Sequence, residues 1–295
     1  LESEKEYFGF INIDKPVDWS SHDVVAKLRR ILKYKKIGHA GTLDPFATGV
    51  LPIAIGSATR LIRFLSKDKA YEAELDLSFT TDTDDLTGEK LKEAETELSL
   101  EEIQSKLKQM LGNFQQYPPL YSAKKINGKK LYELMRAGED LDLSDIKPKT
   151  VFIKKIDVIK FAYPYLKLDI ECGEGTYIRS IARDIGGHLT SLRRTKSNNF
   201  DLTSSIRFED LEDGDLAMQD LILNASSCLA LPKHIFSRKE VIALQQGQRV
   251  YLDDYQDEQT SSVLQCLDQE EELIGLAELL KIGSNYQLQP KVIFA

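Results

Sequence analysis

Cysteine is scarce in this chain: three in 295 residues, Cys172, Cys228 and Cys266, far apart and without CxxC spacing. That excludes a disulfide framework and a thiolate metal centre, and reduced thiols in a cytoplasmic protein are the expectation. Histidine is equally sparse. His22, His39, His188 and His234 form no HExxH or comparable pair, so no bound metal is expected. No apolar run approaches the roughly 18 residues that a membrane-crossing helix needs. The opening LESEKEYFGF has neither a Met nor the basic and apolar regions of a secretory signal. The expectation is a protein that is not exported and whose native start lies elsewhere. Also missing are a phosphate loop ending in GKS or GKT and a serine nucleophile elbow, while the Gly173 and Gly175 pair lacks the third glycine of a dinucleotide site. No cofactor is expected.

Charge is plentiful and unevenly placed. The net value of −8, from 39 Lys and Arg against 47 Asp and Glu, argues mildly against a nucleic-acid partner until its distribution is considered. Lys27 to Lys36 reads KLRRILKYKK, six cations without an acid. Lys124, Lys125, Lys129 and Lys130 form a second basic cluster, and Arg193, Arg194 and Lys196 a third. Acids gather in the turn at Asp82, Asp84 and Asp85 and in the C-terminal region. Any one basic cluster reads as a solvated helix face as readily as a phosphate track.

The length fits one large and one small domain, and periodicity mixes helices with strands. FGFINIDKP reads as a strand entering a turn, followed by a helix capped at Ser20 or Ser21 with Val24, Val25, Leu28, Ile31 and Leu32 on one face. LSLEEIQSKLKQMLGNF predicts a helix with Leu100, Ile103, Leu107 and Leu111 inward. VFIKKIDVIKF and YLKLDIEC read as strands, and GEGTYIRSIARDIGGHL as a glycine loop opening a helix. A boundary falls near Asn224 to Lys233, after which several short strands predict a small barrel.

The segment Gly38 to Arg60, GHAGTLDPFATGVLPIAIGSATR, presents one carboxylate, Asp44, in a loop. Gly38, Gly41 and Gly49 allow close backbone approach, and Pro45 pushes Asp44 toward extended geometry. Alone, this is also how an ordinary Asp-Pro turn reads, with the carboxylate bonding its own backbone. No second acid is named beside it, so a two-carboxylate glycoside hydrolase stays open without support. Tyr71, Tyr177 and Arg179 offer stacking faces for an unstacked base and a partner for a carboxylate or phosphate. Taken singly, each is as easily a core or surface residue.

Taken in order, GHAGTLDPFATGVL, KAYEAEL, YPPLYSAKKINGKKLYEL and GTYIRSIARDIG resemble the TruB family of tRNA pseudouridine synthases. The resemblance runs from FINIDKP to RRTKSNNF, with a looser PUA-like match in the tail. It implies an α+β pseudouridine synthase fold with a mixed, largely antiparallel central sheet. Residues 1–228 would form the catalytic domain, with an inserted RNA-contacting region at 98–150, and residues 229–295 the PUA-like barrel. The implied reaction isomerises uridine 55 in the TΨC loop of tRNA, by base flipping, glycosidic cleavage and C5–C1′ bond formation. It needs no cofactor, metal or membrane; a monomer is the expectation. Asp44, Tyr71 and Arg179 are the implied catalytic set: Asp44 essential, Tyr71 stacked on the uracil, and Arg179 paired with Asp44. His39, Tyr177, Arg60, Leu192 and Lys15 are implied to contact substrate. Lys33, Lys35, Lys36, Lys124, Lys125, Arg193 and Arg194 are implied to contact the RNA backbone. The family has a longer segment where Ile185-Gly186-Gly187-His188 stands; either part of an RNA-contacting loop has been lost or residues have been left out there, and the second is the expectation. The alternative is a non-catalytic tRNA-binding protein with the same basic surface.

Overall fold

The computed structural model describes residues 7–122, 124–126, 128–137, 146–212, 220–252, 262–283 and 285–294. The chain runs through β1 (Gly9–Lys15), α1 (Ser21–Leu32), β2 (Ile37–His39), β3 (Thr48–Ile55), a 3-10 stretch Gly56–Phe64, β4 (Lys69–Asp76), β5 (Phe79–Thr81) and β6 (Lys90–Glu93). Next come α2 (Leu100–Met110), β7 (Gly112–Gln116), β8 (Lys125–Ile126), β9 (Lys129–Lys130), α3 (Leu131–Arg136), β10 (Lys149–Ala162) and β11 (Tyr165–Cys172). These lead to α4 (Ile178–Ile185), β12 (His188–Ser197), β13 (Phe200–Asp201) and α5 (Phe208–Glu212). The last part holds β14 (Lys233–Ile235), α6 (Arg238–Gln245), β15 (Val250–Leu252), β16 (Val263–Leu267), β17 (Leu273–Ile282) and β18 (Asn285–Ile293).

A nine-stranded sheet in the order β1-β3-β12-β4-β11-β10-β7, with β2 on β3 and β13 on β12, forms the frame. Its pairings are antiparallel except β3 with β12, so it is the mixed, largely antiparallel sheet the sequence implied. Strand β4 shows why it folds this way. Tyr71, Ala73 and Leu75 alternate inward while Glu72 and Glu74 face outward and pair with Lys167 of β11 at 3.0 and 3.4 Å. Helix α1 lays Val24, Val25, Leu28 and Leu32 on this core and opens with a Ser20–Asp23 capping box. A second apolar cluster joins the two sheets: Phe10, Val50, Ala54, Leu61 and Phe200 pack with Leu229, Leu267, Leu276 and Val292. The C-terminal sheet, ordered β14-β16-β17-β18-β15, is consistent with the PUA-like module expected there.

One expectation changes. Leu100 and Leu111 are exposed, and Met110 takes the inward place beside Ile103 and Leu107. Leu100 is the first residue of α2 and Leu111 has already left helical geometry, so neither follows the helical stripe. The abrupt join at Gly186-Gly187 closes with the residues present. The amides of Gly186 and Gly187 both reach the Ala182 carbonyl, at 3.2 and 3.0 Å, and Gly186 has φ +120. Gly187 then passes so close to β4 that an added Cβ would lie 2.3 Å from the Asp76 carbonyl. Strand β12 pairs with β4 from His188 onward.

Gly49 is the tightest approach beside the Asp44 loop: φ is +100, and a Cβ would stand 2.2 Å from the Arg194 carbonyl oxygen. Gly112 also has positive φ, +80, but nothing lies within 4 Å of its added Cβ. Gly49→Ala is therefore expected to lose about 3 kcal/mol or more, from backbone strain plus a clash, and Gly112→Ala only about 1. Urea unfolding of the two variants measures the difference.

Candidate active site

The Asp44 loop joins β2 to β3 and is held from beneath at several points. The Asp44 carbonyl accepts the Ala47 amide at 3.1 Å, a β-turn with Pro45 at its second position. The Ser21 hydroxyl accepts the Leu43 amide at 2.9 Å, tying the loop to α1. Lys15 is fully buried at the end of β1, where its ammonium donates to the carbonyls of Pro16, Trp19 and Pro45 at 2.8, 2.5 and 3.0 Å. Burial pushes the Lys15 ammonium down to about 8, against the opposing pull of Asp18 and Asp44. Arg194, also fully buried, donates to the carbonyls of Gly41, Thr42 and Val50.

The turn leaves the Asp44 carboxylate free to face Arg179. Nη2 donates to Oδ1 at 3.2 Å, and Nε lies 3.0 Å from Oδ2 in ion-pair contact at an angle too poor for a second hydrogen bond. The Asp44 side chain is 36% exposed and that of Arg179 8%, so the acid opens to solvent while its partner stays inside. Arg179 sits in the first turn of α4 and is fixed by the Thr83 carbonyl at 3.0 Å, the Tyr121 carbonyl at 3.1 Å and the Asp85 carboxylate at 3.4 Å. The carbonyl contacts fill donors that a carboxylate alone would leave unmatched.

Asp84 and Asp85 of the 82–85 turn are therefore interior groups, which the sequence reading missed. Asp85 is 5% exposed at its side chain and accepts from Thr83 and from the amide and hydroxyl of Thr87. Asp84 pairs with Arg183 at 3.0 Å, yet burial pushes its carboxyl up to about 7, with Arg183 and Arg179 pulling the other way. The signal was available in part: TDTDDLTG interleaves acids with hydroxyls that can satisfy them.

The remaining implied residues divide. Tyr71 is buried on β4, opposite Ile170 on one side and Arg194 on the other, and burial pushes its phenol up to about 12. Leu192, also buried, lies two residues before Arg194 on β12. Tyr177 caps α4 with its side chain half-buried. Gln116 holds its backbone from both sides, accepting its amide at 2.8 Å and donating to its carbonyl at 3.0 Å. Gln116 is a second residue that sequence reasoning missed. His39 lies edge-on to His22 with ring centroids 5.3 Å apart, and its Nδ1 is buried with no partner among the described residues. Burial, then His22 and Arg194, push its imidazole below the usual range, toward the neutral form.

The other implied residues differ in what they meet. Arg60 donates to the Ile293 carbonyl at 2.8 Å and sits over Phe294, so it fastens the two sheets together. Arg194 has no exposed surface and cannot meet an RNA backbone. Arg193 forms a double hydrogen bond with Asp14, at 3.1 and 2.6 Å. Lys33, Lys35 and Lys36 are exposed at the end of α1, and Lys124 donates to the Lys147 carbonyl. Of Lys125 only the backbone lies within the described residues.

The fold is shared with solved Cbf5 assemblies. A crystal structure of a Cbf5–Nop10–Gar1 complex matches with TM-score 0.74 at 24% identity, covering 97% of this chain and 84% of that one. An archaeal box H/ACA Nop10–Cbf5 complex matches with TM-score 0.71 at 22% identity, over 99% and 89%. Together with relatives bearing one enzyme name, fold and site define a pseudouridine synthase. A protein of Microcystis aeruginosa named tRNA pseudouridine synthase B is 42% identical over 293 residues, covering 97% of this chain and 99% of its own. Those of Trichormus variabilis and Gloeothece citriformis are 49% identical over 69% of this chain and 72% of theirs, and 40% identical over 97% of both. The model described as TruB family pseudouridylate synthase, N-terminal domain, matches residues 29–178. The chain belongs to the TruB family.

The raised Asp84 carboxyl has a defined consequence for stability. Because it binds a proton more readily folded than unfolded, its contribution falls as pH rises from about 4 to about 7 and is level above that. Asp84→Asn removes that slope. The unfolding free energy of the native protein minus that of the variant is expected to decline across this window in urea titrations at successive pH values.

Proposed function

We propose that this chain isomerises uridine 55 in the T arm of tRNA to pseudouridine, acting as a monomer in the cytoplasm. The carrying observation is the Asp44–Arg179 pair: a carboxylate open to solvent, backed by an interior guanidinium, on a loop braced by buried cations. Uridine leaves the RNA stack and enters beside Asp44, the glycosidic bond breaks, the uracil turns, and C5 bonds to C1′. Asp44 attacks C1′, adds to C6 or takes a ribose proton, three routes that share this geometry. Tyr71 stacks on the base, and Tyr177, Leu192 and His39 complete the pocket around it. Water must stay out while the uracil is detached.

The carriers of the RNA grip are assigned on charge and exposure. Lys33, Lys35 and Lys36 present an exposed basic end of α1 able to meet phosphates, Lys36 giving up only a long bond to the Ser57 hydroxyl at 3.4 Å. Residues 229–295 act as a second RNA-binding module, joined to the catalytic part through the shared apolar cluster and the Arg60–Ile293 contact.

The test uses tRNA carrying tritium at C5 of uridine. The native protein is expected to release tritium while the base stays attached, and Asp44→Asn to release none. Equal release by both would defeat the assignment. RNA binding without release would favour the non-catalytic alternative, and free uracil a hydrolase.

A further inference from the structure

Arg194 is a cation without an acid at its side. Its side chain has no exposed surface, and among the described residues it pairs with no carboxylate. Taking a guanidinium out of water in this way is costly, so the use made of its donors matters. Nε donates to the Val50 carbonyl at 2.7 Å, Nη1 to Thr42 at 3.2 Å and Nη2 to Gly41 at 3.1 Å. Those carbonyls flank Asp44 in sequence, two before it and one after. Register places Arg194 opposite Tyr71 on β4 and opposite Gly49 on β3. The guanidinium has N–H groups left after three carbonyls, and across the strand pair its charge acts on the Tyr71 phenol. Gly49 is what lets β3 come this near, since a side chain there would collide with the Arg194 backbone.

The geometry points to Arg194 as a positioning residue for the reaction proposed above: it holds the Asp44 loop and the Tyr71 strand in one frame and sets a positive charge opposite Tyr71. This role rests on that proposed reaction and replaces the RNA-backbone contact implied by the sequence. Its burial places it out of reach of phosphate. Lysine keeps the charge but lacks the planar fork that spans three carbonyls, whereas methionine keeps the stem and none of the donors. The two substitutions therefore separate charge from bridging.

The experiment combines three readouts on the full chain with a T-arm stem-loop RNA. Single-turnover conversion and RNA affinity are measured for the native protein, Arg194→Lys and Arg194→Met, with affinity followed across salt concentrations. In parallel, a fluorinated tyrosine, more acidic than tyrosine, is placed at position 71 and titrated by fluorine NMR. Arg194→Met is expected to slow conversion about 100-fold, the scale of a misplaced reacting group, with affinity and salt slope unchanged. Its fluorotyrosine is expected to titrate at higher pH, because a cation favouring the phenolate is gone. Arg194→Lys is expected to convert slowly while keeping the fluorotyrosine titration near the native position. A purely structural role would leave the titration of correctly folded protein unmoved. If Arg194→Met does not fold, the lysine variant decides: native-rate conversion overturns the proposal. A fluorotyrosine titration unchanged in Arg194→Met overturns it too. So does a salt slope that falls by about one, the signature of a lost phosphate contact. Absence of conversion by the native protein would count against the proposed reaction instead, while the fluorine titration still reads the link between Arg194 and Tyr71.

Discussion

The ion pair between Asp44 and Arg179 is the interaction on which the rest of the site depends. It joins a loop near the N-terminus to a helix 135 residues further on, and each partner is held by contacts the other does not share. Asp44 is placed through its backbone, by the turn to Ala47, the Ser21 hydroxyl on Leu43 and the Lys15 ammonium on Pro45. Arg179 is placed through its side chain, by two carbonyls and the Asp85 carboxylate. A pair so buried on one side costs desolvation, and its return is a fixed direction for the carboxylate. Such a direction is what a reaction at one carbon of one nucleotide requires.

An acidic chain thus concentrates cations where the chemistry lies. Lys15, Arg179 and Arg194 are all buried around a single part-exposed carboxylate, and the first and last take carbonyl oxygens of its loop or of its flanks. Net charge is a property of the surface and says little of this interior arrangement. Outside the core, acids and lysines on the outward face of β4, β10 and β11 largely pair with one another, as Lys167 does with Glu72 and Lys155 with Asp169.

Much of the fold was legible because its signals are local. The capping box at Ser20, the alternation along β4 and the glycine loop before α4 depend on neighbours in sequence. Asp44, Tyr71 and Arg179 were legible as motif positions, and the structure brings Asp44 into contact with Arg179. What escaped was set by pairing across strands. Arg193 and Arg194 look like one basic patch, yet successive residues of a strand face opposite ways, so one meets Asp14 and the other disappears beneath the Asp44 loop. Asp85 and Gln116 likewise have no meaning until α4 is laid between them. Arg60 closes the same motif as Asp44 but turns toward the C-terminal sheet, a contact 233 residues away.

The central claim is that a flipped uridine meets Asp44 with Arg179 behind the carboxylate and Tyr71 against the base. A crystal structure with a T-arm stem-loop bound tests it most directly. One uridine is expected to be turned out of its stack onto Tyr71, with C1′ or C6 about 3.5 Å from an Asp44 oxygen, the separation of a reacting pair. A uridine still stacked within the RNA, or one bound beyond the reach of Asp44, would contradict it.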